Sequence, residues 1–106
     1  MSTPDRLARL HALLEADPDD AFCLYGIAQE HASRGDHDTA LGWYERAANA
    51  NPDDGYVHYH RARSLEALGR IADATEAVEA GLLAADRGRD AHARAELEAL
   101  RDELDG

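Results

Sequence analysis

Lysine is missing from this 106-residue chain, cysteine, tryptophan, phenylalanine and methionine occur once each, and only three prolines interrupt it. A single thiol, Cys23, excludes an internal disulfide framework. Charged residues break up every aliphatic segment, so nothing approaches the roughly 20 apolar residues that cross a bilayer as a helix, and no membrane partner is expected. The opening Met-Ser-Thr-Pro-Asp-Arg lacks the apolar run of a secretory signal, which predicts a cytoplasmic location. All eleven basic residues are Arg against 22 acidic ones, for a net charge of −11. That field repels phosphate backbones, excludes nucleic acid as a partner and favours cationic ones. The exclusive use of Arg is read as compositional background rather than as a binding device.

The hydrophobic 44% consists largely of Ala and Leu with few β-branched residues, a mixture that favours helices and predicts an all-α class. Ala16-Asp17-Pro18-Asp19-Asp20 recurs as Ala50-Asn51-Pro52-Asp53-Asp54, an offset of 34 residues. The same offset sets Tyr25 over Tyr59, Ala28 over Ala62, Gly35 over Gly69 and Ala40 over Ala74. Pro stops a helix and Asp caps the next one, so Pro18 and Pro52 mark corners. Gly35 and Gly69 stand where a helix ends in a left-handed residue. Each unit is therefore a helix pair. In the first, Leu24, Ile27 and Ala28 face Ala40, Leu41, Tyr44, Ala47 and Ala48.

On Leu24, Ile27, Ala28, His31, Gly35, Ala40, Tyr44, Ala47 and Pro52 the chain resembles the tetratricopeptide repeat family. A second unit keeps Ala62, Leu65, Gly69, Ala74 and Val78, but departs where Arg61 stands for an aliphatic, Asp86 for the terminal Pro, and His58 and Gly81 for larger apolar or alanine-like residues. These departures predict looser packing there or a different angle at the last corner. The organisation is a single domain over 1–106: a flanking helix in 1–16, repeat one over 21–54, repeat two over 55–88 and a capping helix in 89–106, about six helices of antiparallel pairs. The N-terminal helix opens on Ser2-Thr3-Pro4 and carries a stripe of Leu7, Leu10, Leu13 and Leu14. The last carries Ala93, Leu97, Leu100 and Leu104. Removing either flank is expected to expose apolar surface and lower the melting temperature by many degrees, because such units are buried only by neighbours.

The resemblance implies a right-handed superhelix whose concave surface, lined by the first helix of each pair, binds a peptide or helix of another protein. On it would stand Phe22, Tyr25 and Gln29, then Tyr56, Tyr59, His60 and Arg63. Aromatics and Arg are typical of interaction hot spots, although such rings also pack against one another with no ligand. Family members that clamp acidic chaperone tails use Lys and Asn, where this chain has Tyr25, Gln29 and His60, and only Arg94 resembles part of that clamp. A basic or apolar segment fits the field better. The alternative is a self-associating homodimer, with Trp43 as a second contact surface.

Catalysis has little to build on. His58 and His60 are two apart and leave a helix on different sides. His31, Asp36, His37 and Asp38 suit a divalent ion in type, but helix-start charge explains them better, so no metal, cofactor or enzymatic activity is expected. The Asp-rich corners lack the Glu that closes a calcium loop, Ala28 and Ala62 standing in its place. Cys23 has no adjacent base and reads as a small core residue.

Overall fold

A computed structural model describes residues 5–106, which form six helices and, among the described residues, no strand. In chain order they are α1 (Arg6–Ala16), α2 (Ala21–Ser33), α3 (His37–Ala50), α4 (Gly55–Ala67), α5 (Ile71–Arg87) and α6 (Ala91–Asp105). The expected helix start at Ser2-Thr3-Pro4 lies outside the described residues. Asp5 caps α1, its side chain accepting the Ala8 N–H at 2.8 Å. Asp20, Asp54 and Asp90 do the same for Cys23, Tyr56 and Ala93. Each satisfies one of the orphan donors at a helix start, which is how the acidic corners earn their place in the fold.

The interior corners end in left-handed residues. Gly35 (φ 80°) and Gly69 (φ 76°) follow α2 and α4. Around them the Asp36 N–H reaches His31 O and the Arg70 N–H reaches Leu65 O, both at 2.9 Å, the paired bonds that close a helix end on a left-handed residue. The third corner has the same bonding, Asp90 N–H to Ala85 O at 2.9 Å, but there the left-handed residue is Arg89 (φ 53°) and not the adjacent Gly88. The cause is contact: a Cβ on Gly88 would lie 2.6 Å from the Asp53 carbonyl oxygen. Glycine is consumed by that close approach, and the strained conformation falls on an arginine.

Pro52 forces the residue before it to extend, and α3 stops at Ala50 after 14 residues. With Asp86 in the equivalent place, α5 runs on to Arg87, 17 residues in all. The last corner is displaced accordingly. Arg87 turns back to the corner between α3 and α4, its Nε donating to Asp53 Oδ1 at 3.0 Å and its Nη2 to Pro52 O at 2.7 Å.

Helices α2 and α3 pair, as do α4 and α5, while α1 packs on α2 and α6 on both α4 and α5. Ala28, Ala40, Ala47, Ala62, Ala74 and Ala77 are fully buried, and their small side chains let the backbones come close. Tyr44, 1% exposed, fills the space between α2 and α3 as expected. The looser packing expected at Gly81 is not found. A Cβ there would stand 2.8 Å from Leu97 Cδ2 and 2.9 Å from His58 Cβ, so glycine lets α4, α5 and Leu97 of α6 converge. The flanking stripes hold for Leu10, Leu14, Ala93, Leu97 and Leu100, all buried. Leu13 is the exception at 57% exposure, because Leu10 and Leu14 face α2 and, among the described residues, no helix covers the adjoining side of α1 at that point.

Candidate functional site

The first helices α2 and α4 contact each other, and α4 contacts α6, so the three stand side by side and carry one continuous face. Phe22, Tyr25 and Gln29 project from α2, and Tyr56, Tyr59, His60 and Arg63 from α4. The structure joins most of them. Gln29 links two phenols, its Nε2 donating to Tyr25 Oη at 3.0 Å while Tyr44 Oη donates to its Oε1 at 2.9 Å. The Tyr25 ring meets His60 edge-on at 5.6 Å, and His60 meets Tyr59 at 5.1 Å. Arg63 lies 5.4 Å over the Tyr59 ring and donates to Tyr59 Oη from Nε (3.3 Å) and Nη2 (3.2 Å). The interior of the face is thus a fitted aromatic layer rather than a set of free rings, and Tyr25 is tied through Gln29 to the buried Tyr44.

Electrostatics follow from this packing. Burial, reinforced by the Asp54 carboxylate, pushes the Tyr25 phenol up to about 12. Burial holds His60 below the ordinary imidazole value, against the pull of Asp54 and with the help of Arg63. Bonding to Tyr59, and to Glu66 and Glu103, raises the already high Arg63 value further. Its ion pairs reach Glu66 at 3.0 Å and Glu103 of α6 at 2.9 Å. Arg63 is therefore already engaged, and its part on this face is to fasten α6 to α4.

Phe22 stands apart at 70% exposure, the most exposed large hydrophobic side chain among the described residues. It borders a notch of about 400 Å³ lined by Ala21, Phe22, Tyr25, Asn51, Asp54 and Tyr56, between the first turns of α2 and α4. Tyr56 is hydrogen-bonded on its far side to His92 Nδ1 of α6. Sequence reasoning missed His92 and Glu103 as members of the face. The signal was present: Asp20-Ala21-Phe22, Asp54-Gly55-Tyr56 and Asp90-Ala91-His92 are one cap-and-aromatic motif in three copies. The third copy is out of register because α5 is longer, so an offset of 34 does not find it.

Trp43 lies elsewhere, on α3, half-buried with His11 of α1 edge-on at 5.4 Å and the Arg46 guanidinium 4.7 Å over its ring. A second hollow, of about 390 Å³, opens between α3, α4 and α5, lined by Leu41, Glu45, Arg61, Leu65, Arg70, Asp73 and Glu76. Arg61 there has a buried Nε without a hydrogen-bond partner. The histidines considered as ligands are otherwise occupied: His31 faces Asp36 at 3.7 Å, and His37 Nδ1 pairs with Ser64 Oγ at 2.9 Å. Among the described residues no group of three or more His, Cys, Asp or Glu could hold a metal ion. Cys23 is 2% exposed, its thiol pushed up by burial and by Asp20.

Helix pairs in tandem, closed by left-handed corners and exposing their first helices on one face, define an all-α repeat protein of the tetratricopeptide class. The family model described as anaphase-promoting complex, cyclosome, subunit 3 matches residues 6–81, and the chain belongs to that family of tetratricopeptide-type repeats. Over 68 residues it is 37% identical to Superkiller complex protein 3 of Mus musculus, a match covering 64% of this chain and 4% of that protein. It thus spans only a small part of the length of that relative. Among solved structures it is similar to the tetratricopeptide repeat domain protein of Salinibacter ruber, at 28% identity and a TM-score of 0.75 over 82% of this chain and 98% of that one. PcrH, solved in complex with the chaperone binding region of PopD, shares the fold at a TM-score of 0.84 and 22% identity, over 92% of this chain and 74% of that one. These relations support a protein–protein interaction module.

Proposed function

We propose that the chain is a non-enzymatic adaptor that holds a peptide or helix of a partner protein along the face of α2, α4 and α6. The observation that carries this reading is Phe22, a large ring left 70% exposed at the mouth of a notch on that face, beside aromatics whose other edges are already packed. PcrH supports it by analogy of fold, since its structure contains a segment of a second protein. The surplus of carboxylates selects for partners that are basic or apolar and against nucleic acid.

The test is affinity isolation from native lysate at near-physiological salt with the unmodified chain, Phe22→Ala and Leu83→Ala. Both side chains are exposed, so both variants are expected to fold, which circular dichroism checks. A partner lost with Phe22→Ala and kept with Leu83→Ala supports the reading. Equal recovery with both variants refutes it, and a concentration-dependent mass with no partner would establish the self-associating alternative instead.

A further inference from the structure

Resting on that reading, we propose that the notch between α2 and α4 receives a cationic side chain, Arg or Lys, of the partner segment. Its walls carry three aromatic rings, Phe22, Tyr25 and Tyr56, and one carboxylate, Asp54, together with Asn51 and Ala21. Aromatic faces attract a cation through their negative quadrupole, and an adjacent carboxylate adds a directed charge. None of the chain's arginines lines the notch, and among the described residues no ion pair involves Asp54, whereas Arg63, Arg87 and Arg94 each hold a carboxylate elsewhere.

Asp54 Oδ1 accepts the Tyr56 N–H at 3.0 Å, which fixes the carboxylate at the start of α4 with its charge still uncompensated by an internal cation. The reach of that charge is visible in the neighbouring phenol, since Asp54 contributes to raising Tyr25 to about 12. An apolar side chain filling the same volume would strip water from Asp54 and return nothing to it. A carboxylate would meet a like charge in a chain whose net charge is −11. A cation with an aliphatic stem satisfies both parts, the stem along Phe22 and the head at Asp54.

Three capped tripeptides serve as probes: acetyl-Gly-Arg-Gly-amide and its norleucine and glutamate counterparts, followed by amide NMR shifts at low salt. The arginine peptide is expected to produce saturable shifts in residues 20–26 and 54–60, with at least about a fivefold preference over norleucine and none from glutamate. Asp54→Asn retains a side-chain oxygen to cap α4 and removes only the charge, so it should cost about the same factor without loss of helicity. Phe22→Ala should weaken binding as well.

Norleucine binding as tightly as arginine, unchanged binding in Asp54→Asn, or no shifts with any peptide would overturn the cation assignment. A lysate partner separates this from the broader reading: if Phe22→Ala loses the partner while Asp54→Asn keeps it in full, the groove stands and the cation falls. If both variants keep it, the groove reading falls as well.

Discussion

Alanine for glycine in the middle of a helix ordinarily stabilises by about 1 kcal/mol, because glycine loses more backbone freedom on folding. At Gly81 of α5 the sign should reverse. The new Cβ would stand 2.8 and 3.1 Å from the two methyls of Leu97 and 2.9 Å from His58 Cβ. Carbon atoms pack best at about 3.5–4.0 Å, so the overlap is roughly 0.7 Å. Leu97 is fully buried and has little room to swing away, and His58 Cβ is fixed to the backbone of α4, so the helices themselves must separate. Overpacking of this kind costs about 1–3 kcal/mol, leaving a net loss of about 1 kcal/mol and a melting temperature lower by about 4 °C. Gly42→Ala in α3 is the matched control. Gly42 is exposed and its Cβ would meet nothing within 4 Å, so that variant should gain about the 1 kcal/mol that the helix preference offers. Urea denaturation followed by circular dichroism measures both, with an unchanged slope as evidence that the folded states are comparable. Stabilisation of Gly81→Ala by as much as Gly42→Ala would refute the close convergence of α4, α5 and α6.

Other substitutions test other joints. Arg61→Met should raise stability by about 1 kcal/mol, since it removes a half-buried guanidinium with an unsatisfied Nε from beside Leu41 and Leu65; a loss in urea titration would show that Arg61 is better satisfied than its surroundings indicate. Arg89→Gly should gain about 0.5–1 kcal/mol by relieving the left-handed residue at the third corner, and a fall in melting temperature would contradict that origin of strain. Burial and the neighbouring Arg61 hold His58 below 6.5, and burial with Arg63 does so for His60, so below that value the unfolded chain binds protons that the folded chain does not. Stability from these two groups is complete above about pH 7 and declines as the pH falls through about 6.5, until the folded-state values are passed. The melting temperature should fall over that window and fall less in His58→Gln/His60→Gln; identical slopes in both proteins would remove the histidines as the cause.

Much of the architecture was readable from local signals. Gly35 and Gly69 needed only the knowledge that a left-handed residue ends a helix, and Pro52 only that the residue before proline is extended. The stripes of α2 and α3 were legible because each has a partner helix on the face its period marks. Leu13 has the right period but stands 57% exposed, and periodicity cannot report what covers a stripe. The part played by Gly88 was not legible for a related reason: whether a glycine serves a positive φ or a close approach depends here on Asp53, 35 residues earlier. At the candidate site the residues of α2 and α4 were assigned through the resemblance to the repeat family. His92 and Glu103 were not, because the longer α5 shifts the third copy of the motif and the Arg63 to Glu103 pair joins residues 40 apart. Burial was also invisible: of the groove candidates on α2, Tyr25 is bound into the core network through Gln29, whereas the Phe22 ring stands exposed.

The central claim is that the face of α2, α4 and α6 receives a partner segment, and site-directed photo-crosslinking tests it directly. Benzoylphenylalanine placed at Phe22 reports on the notch, and the same group placed at Leu83 of α5, 62% exposed in the folded chain, reports on a second helix. The account predicts a crosslinked partner from Phe22 and none from Leu83. Crosslinks from Leu83 alone, or equally from both, would contradict it.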